Sequence, residues 1–233
     1  MGKCLFITGT GTDVGKTYVT ALIVKKLRDS GKNAGYYKAA ISGATKDEGG
    51  NLLPGDAIYV NEISKLNAPI SQLVSYVYLE AVSPHLAANI NHRQMTLNQI
   101  DTDFKKAANR YDFLTMEGSG GIICPLRWDS EQHFGIDDLV KHLGLSVLIV
   151  ANAGLGTINS TVLTAEYMKA RDIPVKGIVL NRFHRGDVME EDNLQMIEEM
   201  TKIPVVATVQ DDDKEINIDA DVLARLYDNA ELE

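Results

Sequence analysis

The chain has 233 residues, with 23 Lys and Arg against 32 Asp and Glu, a formal net charge of −9. With 45% apolar and 24% charged residues the composition is that of a globular protein, which excludes a disordered or fibrous chain. The acidic balance disfavours a nucleic-acid binder, because phosphate contacts need clustered Lys and Arg, whereas the pairs Lys25-Lys26 and Lys105-Lys106 read as solvated helix faces.

Membrane insertion is not expected. The longest apolar run, Val147 to Ala151, is far short of the ~20 residues that span a bilayer, and Met1-Gly2-Lys3 meets a polar turn too soon for a secretory leader. Two cysteines, Cys4 and Cys124, and five scattered histidines offer neither a disulfide framework nor zinc spacing, so a cytoplasmic location is expected.

Taken in chain order, the first signal is the apolar run Cys4-Leu5-Phe6-Ile7, read as a strand. It stops at Thr8-Gly9-Thr10-Gly11-Thr12-Asp13-Val14-Gly15-Lys16-Thr17. Val19, Leu22, Ile23 and Leu27 then form an apolar stripe at helical spacing that ends near Gly31. Strand, glycine loop and helix in that order form a phosphate cradle. The glycines let main-chain N–H groups curl toward an anion, Lys16 reaches the terminal phosphates, and the Thr17 hydroxyl faces Mg²⁺. The strict pattern places its first glycine at position 10, where this chain has Thr10 between Gly9 and Gly11.

A second buried strand is predicted over Ala34 to Ala40, with Lys38 closing the run Gly35-Tyr36-Tyr37. Thr45 to Pro54 is polar and Gly-rich enough for a mobile loop. Ser83-Pro84-His85 reads as a helix start, serine as cap and proline in the first turn. After a helix over Leu97 to Ala108, the strand Phe113 to Met116 runs directly into Glu117 and a flexible Gly118-Ser119-Gly120-Gly121 loop. That puts a carboxylate at a strand's carboxyl end, where Mg²⁺ beside a phosphate loop finds acidic partners.

Further strands are predicted over Val147 to Ala151, Val175 to Leu180 and Val205 to Val209. Helices are predicted over Ile136 to Leu143, Ser160 to Ala170, Val188 to Met200 and Ala220 to Tyr227. The strands are short and unalternating, as strands covered on both faces are, and they alternate with helices. The fold class expected is α/β, a doubly wound, mostly parallel sheet flanked by helices, in one domain over 1–233. Asp211-Asp212-Asp213 reads as a solvated acidic turn.

Four islands carry a resemblance: the loop from Thr8 to Thr17, Lys38 with Ser42-Gly43, Ser83-Pro84-His85, and Glu117-Gly118-Ser119-Gly120-Gly121. In order and separation they resemble the dethiobiotin synthetases of the P-loop superfamily, from about Lys3 to Val209. The resemblance implies an ATP- and Mg²⁺-dependent ligase acting on 7,8-diaminononanoate and CO₂ in biotin biosynthesis. Carried over by position, it makes Lys38, Lys16 and Thr12 catalytic. It gives the nucleotide Thr12, Asp13, Val14, Gly15, Lys16, Thr17, Asp56, Glu117, Gly118, Ser119, Gly120, Asn181, Ala207, Thr208 and Val209. Among these, Thr17, Asp56 and Glu117 would hold Mg²⁺ and Asn181 would read adenine.

Ser42 would touch the diamine. Gly156, Thr157, Ile158 and Asn159, at the start of a helix, would receive the substrate carboxylate from the other subunit of a homodimer. Three positions depart from the family: Gly11 and Asp13 replace the usual Asp and Glu, and Ala39 replaces the proline after the catalytic lysine, removing a restriction on the backbone at Lys38. The competing class is a P-loop switch ATPase of the partition or iron-protein type, acting through a protein partner. Those proteins generally carry a lysine where this chain has Gly11.

Overall fold

The structure, a computed structural model, describes residues 1–230; the last three residues of the expected domain lie outside them. The elements follow the predicted alternation. The first half contains β1 (Lys3–Gly9), α1 (Lys16–Asp29), β2 (Ala34–Ile41), β3 (Thr45–Lys46), β4 (Leu52–Leu53), α2 (Gly55–Ile63), β5 (Val74–Val77), α3 (Pro84–Ile90) and α4 (Leu97–Ala108). After these come β6 (Phe113–Gly121), β7 (Pro125–Trp128), β8 (His133–Gly135), α5 (Ile136–His142), β9 (Val147–Asn152) and α6 (Thr157–Ala170). The chain continues through β10 (Val175–Asn181), α7 (Val188–Thr201), β11 (Val205–Val209), α8 (Ala220–Ala224) and β12 (Asp228–Asn229).

Seven strands form one parallel sheet in the order β11-β10-β9-β1-β6-β2-β5, and β12 returns to pair antiparallel with β1. The doubly wound reading holds because both faces are covered. Leu5 and Ile7 point into a core shared with Val19, Leu22, Ile23 and Leu27 of α1. Their neighbours Cys4 and Phe6 point the other way, into a core with Phe104 of α4 and Leu139 of α5. Period-two alternation on a strand with no solvent face explains why no alternating pattern appears in its sequence.

Several expectations change. Within Thr45 to Pro54, expected as a loop, Thr45–Lys46 and Leu52–Leu53 pair as a short hairpin, β3 on β4, with Asp47 accepting from Asn51 across its turn. The glycines after Glu117 are not a loop: β6 continues to Gly121, and Gly118 lies so close to Phe6 that an added Cβ would sit 2.8 Å from its ring. The strand expected over Ala34 to Ala40 runs one residue further, to Ile41, with Lys38 inside it. The final helix stops at Ala224, short of Tyr227, which is buried against Thr115. α3 begins at Pro84 as expected, but Ser83 makes no side-chain cap.

Candidate active site

In an open parallel sheet the ligand crevice lies beyond the carboxyl ends of the strands, where the order reverses. Here that edge carries a cleft of about 690 Å³ lined by the loop before α1 and by Lys38, Ser42, Asp56, Glu117, Ser119 and Gly120. Thr12, Asp13, Gly15, Lys16 and Thr17 line it, whereas Val14 is buried with its side chain in the core beneath.

The loop is shaped by backbone that few residues tolerate. Gly15 has φ +88°, and a Cβ there would lie 2.1 Å from the amide nitrogen of Asn181, so both conformation and space demand glycine. As the residue capping α1 it offers no side chain to the first turn, which holds no acidic residue either; the free N–H groups are left for an anion. Lys16 folds back, its ammonium donating to the Gly11 carbonyl at 2.9 Å. Burial, and after it the nearby Lys38, lower its pKa from the usual lysine range. Gly11 itself faces open space, so the acidic residue usual there in the resembled family would fit.

Beside this loop sits a charged cluster assembled from four elements. Strand pairing sets Lys38 of β2 opposite Glu117 of β6, and Ile7 of β1 opposite Glu117 on the other side. The Lys38 ammonium, 4% exposed, donates to Glu117 at 2.7 Å and to Asp56, in the first turn of α2, at 2.6 Å. The Thr17 hydroxyl donates to Glu117 at 2.8 Å and the Tyr36 hydroxyl at 3.1 Å.

Burial opposes the charge on Lys38, but Glu117 and Asp56 outweigh it and hold the ammonium above the ordinary range. Burial likewise disfavours the Asp56 carboxylate, yet Lys38 and the Thr17 hydroxyl hold its pKa down. The replacement of proline by Ala39 therefore leaves Lys38 well fixed: its N–H donates to the Leu73 carbonyl at 2.9 Å within a paired strand, and its head has two carboxylate anchors.

Among the described residues no three His, Cys, Asp or Glu side chains converge as a metal-binding group. The hydroxyl of Thr17 with the carboxylates of Asp56 and Glu117 is a different kind of set. It suits Mg²⁺, which keeps waters and takes phosphate oxygens alongside one or two carboxylates. An ammonium already lodged between the two carboxylates marks this point as one that favours positive charge.

Asn181 ends β10 beneath the loop. Its amide donates to the Val14 carbonyl at 3.0 Å, while its Oδ1 is buried without a partner, an acceptor left open where a donor could arrive. Val209 pairs with Asn181 across the strands, but Ala207 and Val209 bury their side chains in the α1 core, so β11 can offer a ligand chiefly its backbone and Thr208. Ser119 is held by its hydroxyl donating to the Ala40 carbonyl at 2.9 Å. Gly156, Thr157, Ile158 and Asn159 do form the start of α6, but they do not line this cleft.

The sequence reading did not single out Tyr36, the cleft-lining Tyr18, Ile41 and Tyr59, or Arg182. Tyr36 alternates with Lys38 at strand period two and shares its face, a signal that was available. Arg182 directly follows Asn181, with φ +56°, and has no local signature. Cys124 also gains unforeseen surroundings: burial raises its pKa, and the cations tempering that rise are Lys16 and Lys38, from across the fold.

A family model described as an AAA domain matches residues 3–217. The ATP-dependent dethiobiotin synthetase BioD of Clostridium botulinum (strain Eklund 17B / Type B) is 43% identical over 228 residues, covering 98% of this chain and 99% of that protein. The protein of the same name from Brachyspira hyodysenteriae is 46% identical over 211 residues, 91% and 93% of the two chains. Among solved structures, the MinC:MinD cell division protein complex of Aquifex aeolicus has TM-score 0.55 at 14% identity, covering 97% of this chain and 86% of that one. A ParA family ATPase from Chlorobium tepidum TLS has TM-score 0.53 at 14% identity, with 91% and 86% covered. These last two establish a shared P-loop fold and no more. The identity sustained along almost the whole length is with the synthetases, and the chain belongs to the ATP-dependent dethiobiotin synthetase family.

Proposed function

We propose that the cleft closes the ureido ring of dethiobiotin with the residues described above, in an Mg²⁺-dependent reaction. The observation that carries this reading is the buried Lys38 ammonium, held 2.6 and 2.7 Å from two carboxylates beside a phosphate loop. One amine of 7,8-diaminononanoate captures CO₂ as a carbamate. A carbamate oxygen then attacks the γ-phosphorus of ATP, releasing ADP, and the second amine attacks the carbonyl carbon of the mixed anhydride, expelling phosphate and closing the ring. Phosphorylation turns a carbamate oxygen, a poor leaving group, into phosphate, a good one.

In this scheme Lys16 and the main-chain amides from Thr12 to Thr17 grip the β- and γ-phosphates, with Thr12 at the open lip. Lys38 faces the carbamate and the transferring phosphoryl group, where negative charge must be steadied. Thr17, Asp56 and Glu117 would hold Mg²⁺, which when bound neutralises phosphate charge. Asp13, Val14 and Gly15 shape the loop, and Gly118, Ser119 and Gly120 wall the cleft. Asn181 reads adenine with its open Oδ1 toward the exocyclic amine, beside Ala207, Thr208 and Val209. Ser42 contacts the diamine.

Purified protein is expected to hydrolyse ATP only when diaminononanoate, bicarbonate and Mg²⁺ are all present. Omitting any one should return turnover to background. Equal hydrolysis in every tube would instead favour a nucleotide switch.

The substrate carboxylate is assigned to Gly156, Thr157, Ile158 and Asn159 of a second copy, which makes the working unit a homodimer. What supports this is the apolar surface around that turn: Leu155 is 92% exposed, Ile123 67% and Leu163 62%. Leu155→Asp is expected to convert a dimer to a monomer in light scattering and to raise the KM for the diamine; a monomeric parent protein, or a variant that stays dimeric, would refute the arrangement. We place the protein in the cytoplasm, consistent with its two free thiols, which cell fractionation would check.

A further inference from the structure

The acidic turn after β11 is built rather than merely solvated. Asp213 accepts from the Gln210 N–H at 2.8 Å, Asp212 sits at φ +64°, and Asp211 lies 3.8 Å from both Arg182 and His184. The Tyr18 hydroxyl, on the residue directly after Thr17, donates to the Asp213 carbonyl. Tyr18 and Arg182 both line the cleft, and both also reach this turn. Beyond it, Ile216 and Ile218 bury themselves against Val19, Leu22 and Ile23, so the chain crosses α1 as a strap.

We propose that Tyr18 is a positioning residue for the nucleotide base: it pins the Gln210–Asp213 turn to the first turn of α1 and thereby fixes the base side of the cleft relative to the phosphate loop. This rests on the reading that the base lies at Asn181 beside β11. Without the hydroxyl the strap stays packed through its isoleucines, but the turn gains freedom that binding the base must remove. Inorganic triphosphate, which has no base, should not sense the change.

The test compares the affinities for ATP and for inorganic triphosphate in Tyr18→Phe, Asp213→Ala and Asn181→Ala. Tyr18→Phe keeps the ring that packs against the core and removes one hydrogen bond, and it is expected to weaken ATP about five-fold while leaving triphosphate unchanged. Asp213→Ala, which opens the turn from within, should do the same, and the amides of 210–213 should exchange faster in both. If Asn181→Ala weakens ATP selectively but Tyr18→Phe weakens both ligands equally, or neither, the strap has no such role. Should Asn181→Ala itself fail to discriminate, the base is not read there, and this inference falls with that reading.

Discussion

Lys38→Ala is expected to bind ATP with nearly unchanged affinity and to lose ring closure by about 10² to 10³-fold, the magnitude found when a single group aimed at developing charge is removed. In the proposed scheme the phosphate grip falls to the loop amides and to Lys16, whose ammonium donates to the Gly11 carbonyl. Lys38 is buried and anchored, and the other cleft-lining cations among the described residues are engaged elsewhere: Lys16 donates to the Gly11 carbonyl and Arg182 stands with Asp211 and Asn152. Calorimetric titration of ATP and a ring-closure assay on the same preparation separate the two effects. Lys38→Met, which keeps the length of the stem, should behave likewise. A loss of ATP affinity with turnover preserved at saturation would show that Lys38 serves binding instead.

Glu117→Ala is expected to be the most destabilising substitution in the site. Its carboxylate is buried and accepts from Lys38, Thr17 and Tyr36, so deletion strands a buried ammonium and two hydroxyls together. Breaking a buried pair from one side typically costs about 3–5 kcal/mol. In a chain of this size that is a fall in Tm of about 10 °C. Asp56 makes an equally short contact with the same ammonium, but its side chain is 39% exposed and water can replace it, so Asp56→Ala should cost about 1 kcal/mol or less. Thermal denaturation of the two variants side by side checks the order. Equal shifts would mean that the cluster is more hydrated than its geometry indicates.

The likeness to MinD and ParA proteins and the kinship with the synthetases separate two levels of description. A P-loop fold with a doubly wound sheet is common to all of them, whereas chemistry depends on what stands beside the loop. In this chain it is a lysine between two carboxylates, on the strand that pairs with Glu117. Such a cluster suits a reaction in which an anionic oxygen must approach an anionic phosphate.

Much of this was legible in the sequence because its causes are local. The run Cys4 to Ile7, the glycines through Gly15 and the stripe from Val19 to Leu27 declare strand, cradle and helix within the first 30 residues, through side-chain period and backbone freedom alone. The edge strand Val74–Val77 and the helix Gly55–Ile63 escaped because each buries only two residues, the helix Ala57 and Val60, too few to mark an apolar face. The glycines after Glu117 misled for an instructive reason. Gly118 lets the strand pass close to Phe6 and Gly120 takes φ +68°, so the run serves a continuing strand and not a flexing loop.

The residues that form the charged cluster are far apart in sequence: Thr17 and Glu117 are separated by 100 positions, Lys38 and Glu117 by 79. The chain alone could nominate them, as glycine-flanked or strand-terminal charged residues, and similarity to a family could say what such residues do elsewhere. It could not say that they touch. A hydrophobic pattern specifies which face of a strand is buried but not which strand lies next to it, and only the parallel register of β2 on β6 brings Lys38 level with Glu117. The same holds for Tyr18 and the turn at Asp213, joined across 195 residues by the way β11 leaves the sheet and folds over α1.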